Sequence, residues 1–145
     1  MGVEIRNKKA SYTYFLTDTF TAGLMLKGTE IKSIRAGKAS IKEAYCKFIG
    51  GELFVLNMYI QEYENGGYVN HEPRAPRKLL LQQHELSKIR RKLKNVGNTV
   101  VPTLLFINDK GWAKLEISIA TGKKMRDKRQ DLKQKDLKRE MERNR

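Results

Sequence analysis

Thr99-Val100-Val101-Pro102-Thr103-Leu104-Leu105-Phe106-Ile107, the turn Asn108-Asp109-Lys110-Gly111, and Trp112-Ala113-Lys114-Leu115-Glu116-Ile117-Ser118-Ile119-Ala120 form the stretch that decides the fold. In its second arm Ala113, Leu115, Ile117 and Ile119 alternate with Trp112, Lys114, Glu116 and Ser118. A period of two sets one face of a strand on a core and the other in water. The two arms and the polar turn between them predict an antiparallel hairpin.

Upstream, apolar residues from Ala44 to Asn57 flank Gly50-Gly51, and two consecutive glycines supply the positive φ angles of a tight hairpin turn. Ser11 to Thr17, with Tyr12, Tyr14, Phe15 and Leu16, has the composition of a strand and predicts that the first strand begins there. Gly28 to Gly37 predicts one short helix, with Thr29 as its cap, Ile31 and Ile34 at helical spacing and Gly37 as its stop. Tyr63 to Arg77, holding Gly66-Gly67, Pro73 and Pro76, predicts a loop. From Gln83 to Asn95, Leu86, Ile89 and Leu93 recur at three and four residues among Lys88, Arg90, Arg91, Lys92 and Lys94, an amphipathic helix with a basic exposed side, ended by Gly97.

Short antiparallel strands with a helix inserted, and no strand–helix alternation, predict a mainly β fold with short helices. The expected architecture is a small closed barrel of the oligonucleotide-binding type. A chain of 145 residues has room for one such domain, assigned to residues 1–121. Residues 122–145 carry 11 basic and 5 acidic side chains and few apolar ones. Such a segment buries too little surface to offset its ordering entropy, so a tail disordered in isolation is expected. Leu137 and Met141, with Asp131 and Lys135, are spaced to support a helix once a partner neutralises the charge.

The formal net charge is +14 over the whole sequence, and the tail's +6 leaves +8 on the remainder. That excess calls for a polyanion. Nucleic acid fits best, because Lys and Arg on phosphates release condensed counterions. A membrane surface fits poorly, since the basic segments lack a wide apolar face. Cys46 is the single cysteine, which excludes an intramolecular disulfide and a Cys-x-x-Cys metal site. With no apolar signal-peptide stretch at the N-terminus, the expected compartment is the cytoplasm.

Residues for catalysis are scarce. His71 in the Pro-flanked loop and His84 near a helix start have no partner visible in sequence, and both are expected to be ordinary surface histidines. No catalytic residue, metal ligand set or cofactor is predicted. Asn7-Lys8-Lys9-Ala10 is either a phosphate contact or a solvated arm. In Arg77-Lys78-Leu79-Leu80-Leu81-Gln82 a strand would turn Leu80 away from Leu79 and Leu81, freeing it to touch an unstacked base while Gln82 reads a base edge. Burial of all three leucines is the alternative. Gly122-Lys123-Lys124-Met125-Arg126-Asp127-Lys128-Arg129 is the densest cationic cluster.

Five segments in fixed order resemble the SmpB family, the SsrA-binding proteins of bacterial trans-translation. They are Asn7-Lys8-Lys9-Ala10, Ala22-Gly23 with Gly28-Thr29-Glu30-Ile31-Lys32-Ser33, Arg35-Ala36-Gly37-Lys38, Arg77 to Leu81, and Gly122-Lys123-Lys124 with Asp127-Lys128-Arg129. The resemblance implies a barrel that grips the tRNA-like domain of transfer-messenger RNA (tmRNA) through Asn7, Lys8, Lys9, Glu30, Lys32, Arg35, Arg77, Lys78, Leu80 and Gln82. It implies a tail that reaches the small-subunit decoding centre, ribosomal RNA and empty messenger channel of a stalled ribosome through Gly122, Lys123, Lys124, Arg126, Asp127, Lys128 and Arg129. Elongation factor Tu would be met through the RNA complex, and the free protein is expected to be a monomer. Two positions depart from the pattern: Thr21 stands where an acidic residue is usual, and Arg126 where a His is frequent. Two other readings stay open at this point: a general ribosomal or single-stranded RNA-binding protein, and an RNA-processing enzyme.

Overall fold

A computed structural model describes residues 3–65, 67 and 70–122. Among them the chain runs β1 (Glu4–Arg6), α1 (Lys8–Thr13), β2 (Tyr14–Leu24), α2 (Gly28–Arg35), β3 (Ala39–Ser40) and β4 (Tyr45–Ile49). It continues through β5 (Glu52–Leu56), β6 (Tyr59–Ile60), β7 (Arg77–Leu80), α3 (Gln83–Lys92), β8 (Asn98–Ile107) and β9 (Ala113–Gly122). The fold is mainly β with a few short helices, as the alternation patterns predict.

The hairpin of β8 and β9 is the frame of the molecule. Ile107 pairs with Ala113 at its tip and Asn98 with Thr121 at its open end. Ala113, Leu115, Ile117 and Ile119 are all buried, the face that the period-two pattern assigns to the core. Pro102 cannot donate to a ladder, and the register shifts just beyond it, between Pro102 and Leu104. The second predicted hairpin is present as β4 and β5, with Gly50 at φ 60° and Gly51 at φ 83° in its turn. Strand pairings run β8 to β4, β5, β7, β2, β9 and back to β8, so the sheet closes on itself as a ring. Ile34 of α2 and Ile89 of α3 join Leu53, Val55, Leu105 and Leu115 in one buried cluster. Each fully buried aliphatic side chain contributes about 1.5–3 kcal/mol relative to exposure.

The beginning of the chain departs from its prediction. The first strand is Glu4–Arg6, which pairs with β8 through Glu4↔Phe106 and Arg6↔Leu104. Ser11 to Thr13 belong to α1, and strand geometry starts only at Tyr14. The aromatic composition misleads because Tyr12 is left 78% exposed, while the small Ala10 carries α1 onto Val101 and Ala120. Thr29 is not the cap of α2. Lys27 holds that position, and its backbone N–H donates to Glu30 Oε1 at 2.8 Å. Gly122, assigned to the tail by composition, is the last residue of β9 and pairs with Tyr14. Residues 123–145 lie outside the described residues.

Cys46 sits on the inner face of β4, and burial pushes its thiol well above the usual range. Because the thiolate is the reactive form, the native protein is expected to react with a thiol reagent at least about 100-fold more slowly than the unfolded chain. Equal rates in the presence and absence of urea would contradict this placement.

Candidate nucleic-acid interface

Strand β7 sorts its residues by parity. Arg77 and Leu79 point inward, and Lys78 and Leu80 outward, with Leu80 47% exposed. Leu81 is half-buried against the core, so the three leucines do not share one environment. Gln82, on the surface, opens α3, and its backbone N–H donates to Glu85 Oε1 at 3.1 Å. Leu80 lies across from Gly23 of β2, and Gly23 in turn pairs with Lys114 of β9. Thr21 is exposed opposite Glu116, whose Oε1 accepts the Thr103 hydroxyl at 2.8 Å.

Three members of the predicted contact set face inward. Glu30, Arg77 and Asn7 are 4%, 3% and 7% exposed. Arg77 Nε donates to Glu30 Oε2, Nη1 to the Met58 carbonyl at 2.6 Å, and Nη2 to the carbonyls of Glu72 and Pro73 at 3.1 Å each. A guanidinium that serves two carbonyls of the 70–76 loop, the link between β5 and β6 and the first turn of α2 is a scaffold. Asn7 Nδ2 donates to the Ile41 carbonyl at 3.2 Å and the Pro102 carbonyl at 3.0 Å, tying the turn between β1 and α1 to two other segments. These three side chains are thus turned into the fold: Arg77 and Glu30 spend their polar atoms on one another and on backbone groups, and Asn7 spends its amide N–H groups there, while its buried Oδ1 has no partner among the described residues.

His71 also corrects its expectation as a surface residue, being 4% exposed. Its Nε2 lies 2.9 Å from the Ile60 carbonyl, which can only accept, so Nε2 carries the proton and Nδ1 accepts the Thr29 hydroxyl at 2.9 Å. Nothing in the local sequence signals this, since Thr29 is 42 residues away. His84 is exposed on α3, as expected.

The remaining predicted cations are on the surface. Lys9 pairs loosely with Glu43 at 3.4 Å, and Lys8 is exposed beside it on α1. Lys32 lies over the Tyr63 ring at 5.3 Å, Lys78 is paired with Glu52, and Arg35 reaches the turn at Gly111. Helix α3 shows the predicted basic exposed side. Lys92 and Lys88 converge on Asp18 at 3.5 and 4.0 Å, and Arg90 stacks on Phe48 at 4.6 Å. Asp18 is delivered to them by a bulge between Thr17 and Thr19, with φ 27°. The positions Lys123, Lys124, Arg126, Asp127, Lys128 and Arg129 lie outside the described residues.

Strand β2 links two ends of this surface. At its start Tyr14 pairs with Gly122, and at its finish Gly23 pairs with Leu80. At about 3.3 Å per residue, roughly 30 Å of strand separates the root of the C-terminal segment from Leu80. Lys8 and Lys9 belong to the Gly122 end, because α1 runs directly into β2. Among the described residues, no group of three His, Cys, Asp or Glu could hold a metal ion, and no helix is long and apolar enough to cross a membrane.

Comparison with known proteins places this architecture. The family model described as SmpB protein matches residues 4–145. The SsrA-binding protein of Phocaeicola vulgatus is 56% identical over 141 residues, 97% of this chain and 94% of that protein. That of Bacteroides thetaiotaomicron is 55% identical over 142 residues, covering 98% and 95%. A solved structure described as "tmRNA-SmpB: a journey to the center of the bacterial ribosome" contains a chain that superposes with a TM-score of 0.71 at 42% identity, over 83% of this chain and 85% of that one. With a family model spanning nearly its whole length and relatives above half identity end to end, this chain belongs to the SmpB family.

Proposed function

We propose that this protein binds tmRNA and delivers it to stalled ribosomes in the bacterial cytoplasm. The strand ring acts as a barrel of the oligonucleotide-binding type and takes the tRNA-like domain. The basic C-terminal segment, disordered in isolation, probes the decoding centre and the empty messenger channel. Elongation factor Tu is met through the RNA complex, and the protein itself makes and breaks no covalent bond. One observation carries this reading: an outward Leu80 beside surface Gln82 stands at the end of β2 opposite Gly122, where the basic segment begins. A rigid domain with a contact surface at one end and a cationic segment rooted at the other is suited to bridging two anionic sites.

Leu80→Asp combined with Gln82→Ala tests it. The pair sets a carboxylate against RNA phosphates and removes an amide, so binding to a tRNA-like transcript is expected to weaken at least about tenfold. The far-ultraviolet dichroism should remain that of the parent, because both side chains are on the surface. Unchanged affinity for the transcript would count against a contact surface at Leu80. A competition in which unstructured RNA displaces the tRNA-like transcript equally well would favour a general single-stranded RNA-binding role.

A further inference from the structure

Asp18 stands in the bulge of β2 with φ 27°, a backbone conformation that residues other than glycine seldom adopt. The bulge aims its carboxylate at two ammonium groups one helical turn apart on α3. Oδ2 lies 3.5 Å from Lys92 Nζ, and Oδ1 lies 4.0 Å from Lys88 Nζ. A charge-assisted N–H···O hydrogen bond is about 2.7–2.9 Å long, so the carboxylate satisfies neither ammonium. All three side chains are partly exposed, and ion pairs in such settings add little to stability. The pairing therefore does not account for the strained backbone that produces it, and strain of this kind collects at binding sites. Two cations converge on one point, and the group now placed there is too far away to bond to them.

The place of this pair in the fold indicates what it takes. Asp18 lies on β2 between Tyr14, which pairs with Gly122, and Gly23, which pairs with Leu80. Helix α3 opens next to Gln82, and Asn98 fastens its other end to the root of the C-terminal segment. Asn98 Nδ2 donates to the Lys92 carbonyl at 2.9 Å, and its Oδ1 accepts the Thr121 hydroxyl at 2.7 Å. Arg91 and Lys94 are exposed close by, and among the described residues neither has a carboxylate partner.

We infer that Lys88 and Lys92 form a seat for one phosphate of the bound tmRNA, and that Asp18 fills the seat in the free protein as its stand-in. A phosphate has more oxygens than a carboxylate and closes the gap to both ammonium groups. Asp18 is a positioning residue: it keeps the two lysines together, and its charge opposes the incoming phosphate, which holds the affinity down and lets the RNA leave. The occupant is RNA rather than an acidic protein because cations continue beside the seat through Arg91 and Lys94, matching a backbone that repeats its charge at every nucleotide. This rests on the proposed binding of tmRNA.

The full-length protein is titrated with a labelled tRNA-like transcript of tmRNA over a series of salt concentrations. Asp18→Asn keeps the shape of the side chain, and Asn tolerates positive φ, so dichroism should be unchanged. The variant is expected to bind the transcript at least about threefold more tightly at low salt, because an opposing charge is gone and two cations are released to phosphate. Lys88→Gln with Lys92→Gln should weaken binding and lower the slope of log affinity against log salt by about one. On that double background Asp18→Asn should have no more effect than Glu4→Gln, the same charge change at the exposed edge strand β1. If Asp18→Asn does not fold, the lysine pair decides.

Parental affinity and slope in both sets of variants overturn the seat while the proposed function stands. Equal tightening by Glu4→Gln and Asp18→Asn in the parent background reduces the effect to net charge and overturns it too. Tightening toward labelled polyglutamate but not toward the transcript would give the lysines to an acidic protein, again overturning the inference. Absence of binding by the parent protein instead removes the proposed function.

Discussion

Truncation after Gly122 is expected to leave tmRNA binding within about threefold of the full chain at moderate salt, where screening limits long-range attraction by distant charges, and to abolish peptide tagging on stalled ribosomes. The folded part keeps +8 of the net charge of +14, together with the whole of Leu80, Gly23 and Lys114. What is lost is a segment with 11 basic and 5 acidic side chains, the part that the proposed function assigns to the ribosome. The cut has to fall after Gly122. Cutting at Ala120 would remove Thr121 and Gly122, the partners of Phe15 and Tyr14, and fray the β2–β9 ladder. The measurement is anisotropy with labelled tmRNA alongside a tagging assay on messages lacking a stop codon. Equal loss in both assays would refute the division between ring and tail.

Arg77→Met is expected to be the most destabilising single substitution, costing about 3–5 kcal/mol because it leaves the Glu30 carboxylate buried without its partner. That is a large part of the total stability of a domain this size, about 5–15 kcal/mol, so the variant should unfold at much lower urea than the parent. The substitution also abandons the carbonyls of Met58, Glu72 and Pro73. Adding Glu30→Gln removes the orphaned charge, and the double variant should be less destabilised than the sum of the single changes. If RNA binding falls while the urea midpoint stays in place, Arg77 is an RNA contact and its scaffold role is wrong.

Much of the fold is legible in local pattern. The alternation from Trp112 to Ala120, the Gly50-Gly51 turn and the spacing of Leu86, Ile89 and Leu93 each depend on neighbours a few residues apart. Where prediction fails, the deciding partner is distant. Glu4–Arg6 is a strand because β8 offers an edge about a hundred residues later, and Ser11 to Thr13 turn helical because Ala10 finds Val101 and Ala120. The contact set divides in the same way. Outward Leu80 and inward Arg77 both follow from the parity of β7, whereas the inward Asn7 and Glu30 are basic-segment neighbours whose direction no local rule sets.

The amino-acid order alone determined a polyanion-binding class through its charge, one main hairpin through period two and the other through the Gly50-Gly51 turn, and a family resemblance through five short segments. Tertiary structure alone decided which polar residues are scaffold and which are surface, since burial of a charge depends on partners such as Glu30 and Arg77 meeting across 47 residues. It also decided that Leu80, Gly23 and Lys114 form one row. Strand register is set by the closure of the whole ring, and a residue's cross-strand neighbour is not encoded by the residues beside it.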